Sequence, residues 1–89
     1  LGRFPIVAIE VHVPADVERR VIEEALLDAT QGVGVRPNLE ILQTGPTGTR
    51  YRLTLGSDLA DGRGRLLRSV IANLDEKGIK LGSEGARVA

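Results

Sequence analysis

The feature that most constrains this chain is the order in which two spacings of apolar residues follow one another. Residues 6–13 are apolar at every second position, with the larger side chains at Val7, Ile9, Val11 and Val13, which is the spacing of a half-buried strand. After Pro14 the apolar spacing becomes three and four residues, which predicts a helix. The apolar arc of this helix comprises Val17, Val21, Ile22, Ala25, Leu26 and Ala29. Asp16 is predicted to cap its start, and Gly32 is predicted to end it in a left-handed conformation.

The second half of the chain repeats the two spacings in a different arrangement. Alternation over residues 38–43 and again over residues 50–55 predicts two strands, and the turn residues 45–48 between them predict an antiparallel hairpin. A glycine-bearing loop over residues 56–64 leads to a second helix, which is predicted to start between Leu59 and Arg63. Its apolar stripe comprises Leu66, Leu67, Val70, Ile71 and Leu74, and Gly78 follows its end. A short final strand is predicted to begin over Ile79–Leu81, to break at residues 82–85 and to resume over residues 86–89.

This order of elements predicts one α/β domain over residues 1–89. The expected fold is α+β, a ferredoxin-like βαββαβ sandwich in which an antiparallel sheet carries two helices on one face. The other face of the sheet is then open. It is expected to carry Glu10, His12, Arg50, Arg52 and Thr54.

Composition excludes several classes of function. Twelve basic residues balance twelve acidic ones and only 2% of residues are aromatic, so the chain lacks the positive field and the stacking platforms of a nucleic-acid binder. It has no cysteine and one histidine, which excludes thiol chemistry and a multi-histidine zinc site within one chain. Its apolar runs are far too short to enter a membrane. The chain starts at Leu1 without a signal-peptide pattern, and we expect it to be a soluble domain of a longer protein.

The segment Gln31-Gly32-Val33-Gly34-Val35-Arg36 resembles the phosphate-binding loop of acylphosphatases, which carries a Q-G-V-x-x-R pattern. That resemblance would imply a hydrolase in which backbone amides and Arg36 hold an anion. The loop must then open a helix, because a helix start presents amides and positive charge. Here the segment follows the first helix, so we expect a helix end and a linker.

The remaining polar residues are expected to have structural roles. His12, Arg50 and Arg52 are predicted to lie on the open face near Glu10 and Glu40. Arg63, Arg65 and Arg68 cluster at the start of the second helix, where Asp58 or Asp61 is expected to offset their charge. Asp16, Glu18, Asp75 and Glu76 are interpreted as charges at helix ends. We assign no catalytic, cofactor-binding or metal-binding residue from the sequence.

One resemblance covers the whole chain. The chain is similar to the carboxy-terminal α/β domain of small-conductance mechanosensitive ion channels. The similarity lies in the Val35–Ile41 segment with its proline, in the Tyr51–Leu55 strand, and above all in Leu74-Asp75-Glu76-Lys77-Gly78-Ile79-Lys80-Leu81. That family has an L-x-E-x-G-I-x-(I/L) pattern at this last position.

The resemblance implies a non-catalytic assembly domain on the cytoplasmic side of the membrane. Such a domain forms part of a cage below the pore, built as a homo-oligomeric ring, and it needs no cofactor. Two alternatives remain open from the residues alone. One is a free-standing ferredoxin-like module that binds a regulatory ligand, and the other is an acylphosphatase-like hydrolase.

Overall fold

The computed structural model describes residues 4–79, 81 and 85–88 of the chain. These residues form two helices and a four-stranded sheet. The elements in chain order are β1 (Ile6–Val13), α1 (Arg19–Asp28), β2 (Val35–Gly45), β3 (Gly48–Gly56), α2 (Gly62–Glu76) and β4 (Ala86–Val88). The strands lie in the order β2-β3-β1-β4, and all neighbours are antiparallel. The predicted α+β fold, an antiparallel sheet with two helices, is therefore confirmed, and the arrangement is consistent with a ferredoxin-like sandwich.

The core lies between the sheet and the two helices. The inward side chains of β1 are those predicted from the alternation, and they meet Tyr51, Leu53 and Leu55 of β3. The two helices cover the core on the other side. α1 contributes Ile22, Ala25 and Leu26, and α2 contributes Leu66, Val70 and Leu74. These helical residues recur every three or four positions, so each helix turns one continuous apolar stripe toward the sheet.

The end of α2 explains the most distinctive stretch of the sequence. The amide of Ile79 donates to the carbonyl of Leu74 at 2.9 Å, and the amide of Gly78 donates to Asp75 at 3.0 Å. Gly78 has φ 77°, and Ile79 and Leu74 are both buried. This is a Schellman end with its apolar contact, in which the left-handed position favours glycine. The prediction that Gly78 lies just past α2 is confirmed.

Some predicted details of the helices are wrong. The residue before α1 is Glu18 rather than Asp16, and it makes no side-chain capping bond. The turn over residues 15–17 delays the helix until Arg19. Ile71 was predicted in the buried stripe of α2, but 46% of its surface is exposed. It lies two positions from Ser69 and from Asn73, which face α1, so it points away from the contact between the helices.

The second and last strands also differ from prediction. β2 extends over Val35–Gly45 rather than the predicted residues 38–43, and it contains Arg36 at φ 54°, which was expected in a linker. Proline disfavours the right-handed helical region for the preceding residue, and a left-handed residue fits the irregular register between Val35 and Asn38. Ile79 and Leu81 belong to no strand, and β4 begins at Ala86. Lys80, residues 82–84 and Ala89 lie outside the described residues.

Candidate functional site: the open face of the sheet

The side of the sheet opposite the helices is the largest candidate site. Its side chains form rows that run across the strands, because antiparallel partners point to the same side of a sheet. Strand register therefore decides which residues meet there. The end of the open face beside the β2–β3 turn is its hairpin end, and the opposite end lies at the start of β1.

The row at the hairpin end contains Gln43, Arg50 and His12, which are paired across β2, β3 and β1. Together with Thr47 and Gly48 these residues surround a shallow cavity of about 160 Å³. The lining has one permanent positive charge, from Arg50, and no carboxylate. The prediction that His12 and Arg50 share the open face is confirmed.

The next row contains four charged residues of alternating sign. In the strand order β2, β3, β1, β4 they are Glu40, Arg52, Glu10 and Arg87. We call this row the charge ladder. Glu10 contacts both neighbouring arginines, with Oε2 3.6 Å from Nη2 of Arg52 and Oε1 3.4 Å from Nη2 of Arg87.

The carboxylate of Glu10 is the most sheltered of these charges. Its side chain is 16% exposed, compared with 40% for Arg52 and 62% for Arg87. Exposed ion pairs of this kind contribute only about 0–1 kcal/mol each to stability. The charge ladder therefore contributes little to the stability of the fold.

The last two rows, toward the start of β1, contain no charged residues. Ala8, Thr54 and Asn38 form a neutral row. Beyond it lie Ile6, Gly56 and Val35. The ring of Phe4 reaches the same place, since a Cβ built on Gly56 would lie 3.2 Å from the Cβ of Phe4 and 3.7 Å from Val35 Cγ2. We call Phe4, Ile6 and Val35 the apolar end of the open face, and Ile6 is 71% exposed.

Sequence reasoning found most of the charged residues and missed the apolar end. Glu10, Glu40, Arg50 and Arg52 were expected on this face, but Arg87 was not placed in the row. Phe4 and Val35 were not assigned to it because the pairing of Gly56 with both Ile6 and Val35 cannot be read from spacing. One signal could have identified the charge ladder. The apolar alternation of β1 and β3 restricts how these two strands pair, and the pairing decides which charged residues are neighbours.

The segment that resembles a phosphate loop closes α1 instead of opening a helix. The amides of Val33 and Gly34 both donate to the carbonyl of Thr30, at 3.0 and 3.3 Å, and the amide of Gln31 donates to Asp28 at 3.2 Å. These amides are occupied by the chain itself. Gly32 takes the predicted left-handed conformation, with φ 77°. The prediction that it ends α1 is wrong, because the helix ends at Asp28 with Ala29 as its cap and Gly32 lies in the turn that follows. Arg36 lies in β2, and no helix begins within residues 31–36.

A second cavity of about 370 Å³ lies where β1 begins and the β3–α2 loop ends. Its lining includes Pro5, Leu59, Asp58, Asp61 and Arg63. Ser57, at its base, is buried and already paired, since its hydroxyl donates to the carbonyl of Val33 at 2.6 Å. Asp61 also contacts Arg68 of α2 at 3.3 Å, so the expectation that a nearby carboxylate offsets this arginine cluster is confirmed for Arg68.

Two further observations concern whole classes of site. Among the described residues, no group of three or more histidine, cysteine or acidic side chains is arranged to hold a metal ion. Neither described helix combines the length and the apolar character needed to cross a bilayer.

No protein-family model and no curated protein matches the chain.

Proposed function

We propose that this chain is a non-catalytic assembly domain of a mechanosensitive channel-like membrane protein, placed on the cytoplasmic side of that protein. The observation that carries the proposal is the distribution of exposed apolar side chains. Seven large ones, between 37% and 71% exposed, lie outside the core among the described residues: Phe4, Ile6, Leu27, Val35, Ile41, Leu42 and Ile71.

These side chains occupy separate surfaces. Ile41 and Leu42 lie on the edge strand β2, Leu27 and Ile71 lie on the two helices, and the apolar end lies on the open face. A subunit that joins a closed ring must offer two different patches, one to each neighbour. A domain with several distinct apolar surfaces and a complete core meets that requirement.

The resemblance to the channel domain supplies the identity of the proposed ring. In its most specific stretch, residues 74–81, Leu74, Gly78 and Ile79 cap and pack the end of α2. The other matched segments lie in β2 and β3. The resemblance thus draws on three elements rather than on one loop.

The test uses the complete gene product, extracted in mild detergent. The measured quantity is the mass of its individual particles. We expect a particle of several subunits, and we expect deletion of residues 4–88 to reduce its mass by more than the deleted residues account for. The substitution Ile41→Asp should weaken the assembly, whereas Glu24→Lys on the outer side of α1 should not. A gene that encodes no hydrophobic helices, or a monomeric particle, would refute the proposal.

A ligand-binding regulatory module is the second candidate, and the cavity of about 370 Å³ favours it. That volume is within the range of small-molecule sites, which are roughly 300–1,000 Å³. Its lining pairs apolar residues with Asp58, Asp61 and Arg63. Thermal unfolding of the chain against a panel of amino acids and nucleotides tests this candidate. A shift that disappears in Arg63→Ala would support it, and no shift with any ligand would argue against it.

A further inference from the structure

The charge ladder has a symmetry that its individual ion pairs do not reveal. Its signs run negative, positive, negative, positive from β2 to β4. Reversing the order of the strands therefore turns every negative position into a positive one. A surface with this property is complementary to a second copy of itself.

We propose that a second copy of this chain docks face to face on the open face, about a two-fold axis that runs along the strands between β1 and β3. This axis exchanges β3 with β1 and β2 with β4. Glu10 then faces Arg52 of the copy, and Glu40 faces Arg87 of the copy. The most sheltered charge, that of Glu10, lies next to the axis, where two aligned sheets overlap best.

The apolar end selects the same axis independently of the charges. Rotation about the strand direction leaves each row opposite its own equivalent, so the apolar end meets the apolar end. Ile6 lies opposite Gly56 of the copy, which has no side chain and is flanked by Phe4 and Val35. A 71% exposed isoleucine would thus leave water by packing on an apolar surface.

The alternative two-fold axis, perpendicular to the strands, fits neither feature. It would place Glu10 opposite Glu10 and Arg52 opposite Arg52. With the axis through the charge ladder, the apolar end would meet no row of the copy and would stay in water. Like charges in contact and an apolar patch left exposed both disfavour this arrangement, so the pattern favours the axis along the strands.

The edges of the sheet are poor alternatives for self-association. The edge strand β2 has two irregularities in its register. It also contains Arg36 in a left-handed conformation and Pro37, which has no amide to donate. Features of this kind prevent strand addition at an edge. The opposite edge, β4, is three residues long. The open face is the remaining regular surface of the sheet.

The size of this face predicts a weak dimer. Four strands about 4.8 Å apart and four rows about 7 Å apart give a contact of roughly 20 by 28 Å at most for each copy. That is below the roughly 800 Å² per partner of a standard stable interface. The row of His12 opposite Arg50 of the copy adds no attraction. We therefore expect association only at high micromolar concentrations and above.

Sedimentation velocity of the 89-residue chain from micromolar to millimolar concentration tests the proposal. We expect a reversible monomer–dimer equilibrium. The substitution Ile6→Glu should raise the dimer dissociation constant at least about tenfold, because it buries an unpaired charge within the apolar contact. The matched control is Ala72→Glu, which places the same charge at an exposed position on α2 away from the open face, and it should leave the dissociation constant unchanged. Thermal unfolding of both variants verifies that they fold.

Inversion of the charge ladder tests its role directly. The variant E40R/R52E/E10R/R87E keeps alternating signs within the chain, so it retains its internal ion pairs and should dimerise with itself. A mixture of the inverted chain and the original chain should form few mixed dimers, because every facing pair would carry like charges.

Three results would overturn the proposal. They are a chain that is monomeric at millimolar concentration, a dimer that is kept in Ile6→Glu, or lost equally in Ala72→Glu, and mixed dimers that form as readily as unmixed ones. The contact closes on two copies and cannot by itself build a ring. Its failure would therefore leave the particle mass of the complete gene product, and the proposed function that depends on it, unaffected.

Discussion

Gly34 fixes the distance between the end of α1 and the end of β3. A Cβ at this position would overlap the carbonyl oxygen of Gly56 and the side chain of Leu55. Both neighbours belong to the packed sheet, so neither can move freely. The glycine is required here by close approach of two backbones, and no phosphate-binding role is needed to explain it.

Replacement of Gly34 by alanine should therefore be costly. We expect Gly34→Ala to lower the free energy of unfolding by about 1–3 kcal/mol, as overpacking in a rigid site does. Gly45→Ala is the matched control, because a Cβ there meets nothing within 4 Å. Denaturant unfolding of the two variants measures the difference. Equal stabilities would show that the contact at Gly34 relaxes without cost.

Tyr51 is the single tyrosine of the chain, and its ring is buried. Burial, and secondarily the negative charge of Glu23, raise the pKa of Tyr51 above its ordinary value of 10.0, while Arg19 acts in the opposite direction through its charge and a hydrogen bond. A pKa that is higher in the folded state means that the unfolded state loses this proton first. The stabilisation is therefore fully present below pH 10.0 and is lost as pH rises through the folded-state pKa.

The alkaline behaviour of the chain tests this reading of Tyr51. Tyrosinate absorbance should appear at a higher pH in the folded chain than in denaturant. The free energy of unfolding should fall above pH 10.0, and the fall should be smaller in Tyr51→Phe. The phenylalanine variant is the control, because it lacks the phenolic proton. A folded-state titration that coincides with that of the unfolded chain would contradict the burial argument.

At the scale of elements, α2 holds α1 through two polar side chains that bond to its backbone. The hydroxyl of Ser69 donates to the carbonyl of Ala29 at 2.9 Å, and the amide of Asn73 donates to the carbonyl of Ala25 at 3.2 Å. The carbonyl of Ala29 lies just past α1, where helix carbonyls lack intrahelical partners, and the carbonyl of Ala25 accepts Asn73 in addition to the amide of Ala29 at 3.1 Å. Two otherwise ordinary polar residues of α2 thereby fix how the helices lie side by side.

Loss of either bond should destabilise the chain. We expect Ser69→Ala and Asn73→Ala each to cost about 1 kcal/mol, the usual net value of an intramolecular hydrogen bond. Ile71→Ala, an exposed position between them, should cost less than about 0.5 kcal/mol. Thermal or denaturant unfolding distinguishes these outcomes. An Ile71 effect as large as that of Asn73 would indicate that the helix contact is apolar rather than polar.

The elements also show what spacing alone can and cannot predict. The alternation of β1 and, apart from the exposed Ile71, the stripe of α2 identified buried residues, because burial on one side of an element imposes its period directly. The predictions for Arg36, Ile79 and Leu81 were wrong, since bulges and short edge strands depend on pairing with β3 and β1. Asp16 has the right chemistry for a helix cap, but the turn before α1 places Glu18 at that position.

At the scale of the molecule, the open face combines residues that are distant in sequence. Glu10 and Arg87 are separated by most of the chain, yet they share a row with Arg52 and Glu40. The sequence supplied the fold class and most of the individual charges. The order of signs in the charge ladder requires the strand order as well as the register, so a surface pattern of this kind emerges only from the assembled sheet.

The central claim is that this domain joins neighbouring subunits of a larger assembly, and cross-linking in native membranes tests it most directly. The chain has no cysteine, so the substitutions Ile41→Cys and Ile71→Cys place single thiols on two different apolar surfaces of the proposed ring contact. Any other cysteine in the complete gene product is replaced by serine. In a ring, the double variant should form a ladder of products that ends at one closed species, whereas each single variant should stop at dimers. Only monomers in the double variant, after a bifunctional maleimide has been added to intact membranes, would contradict the account.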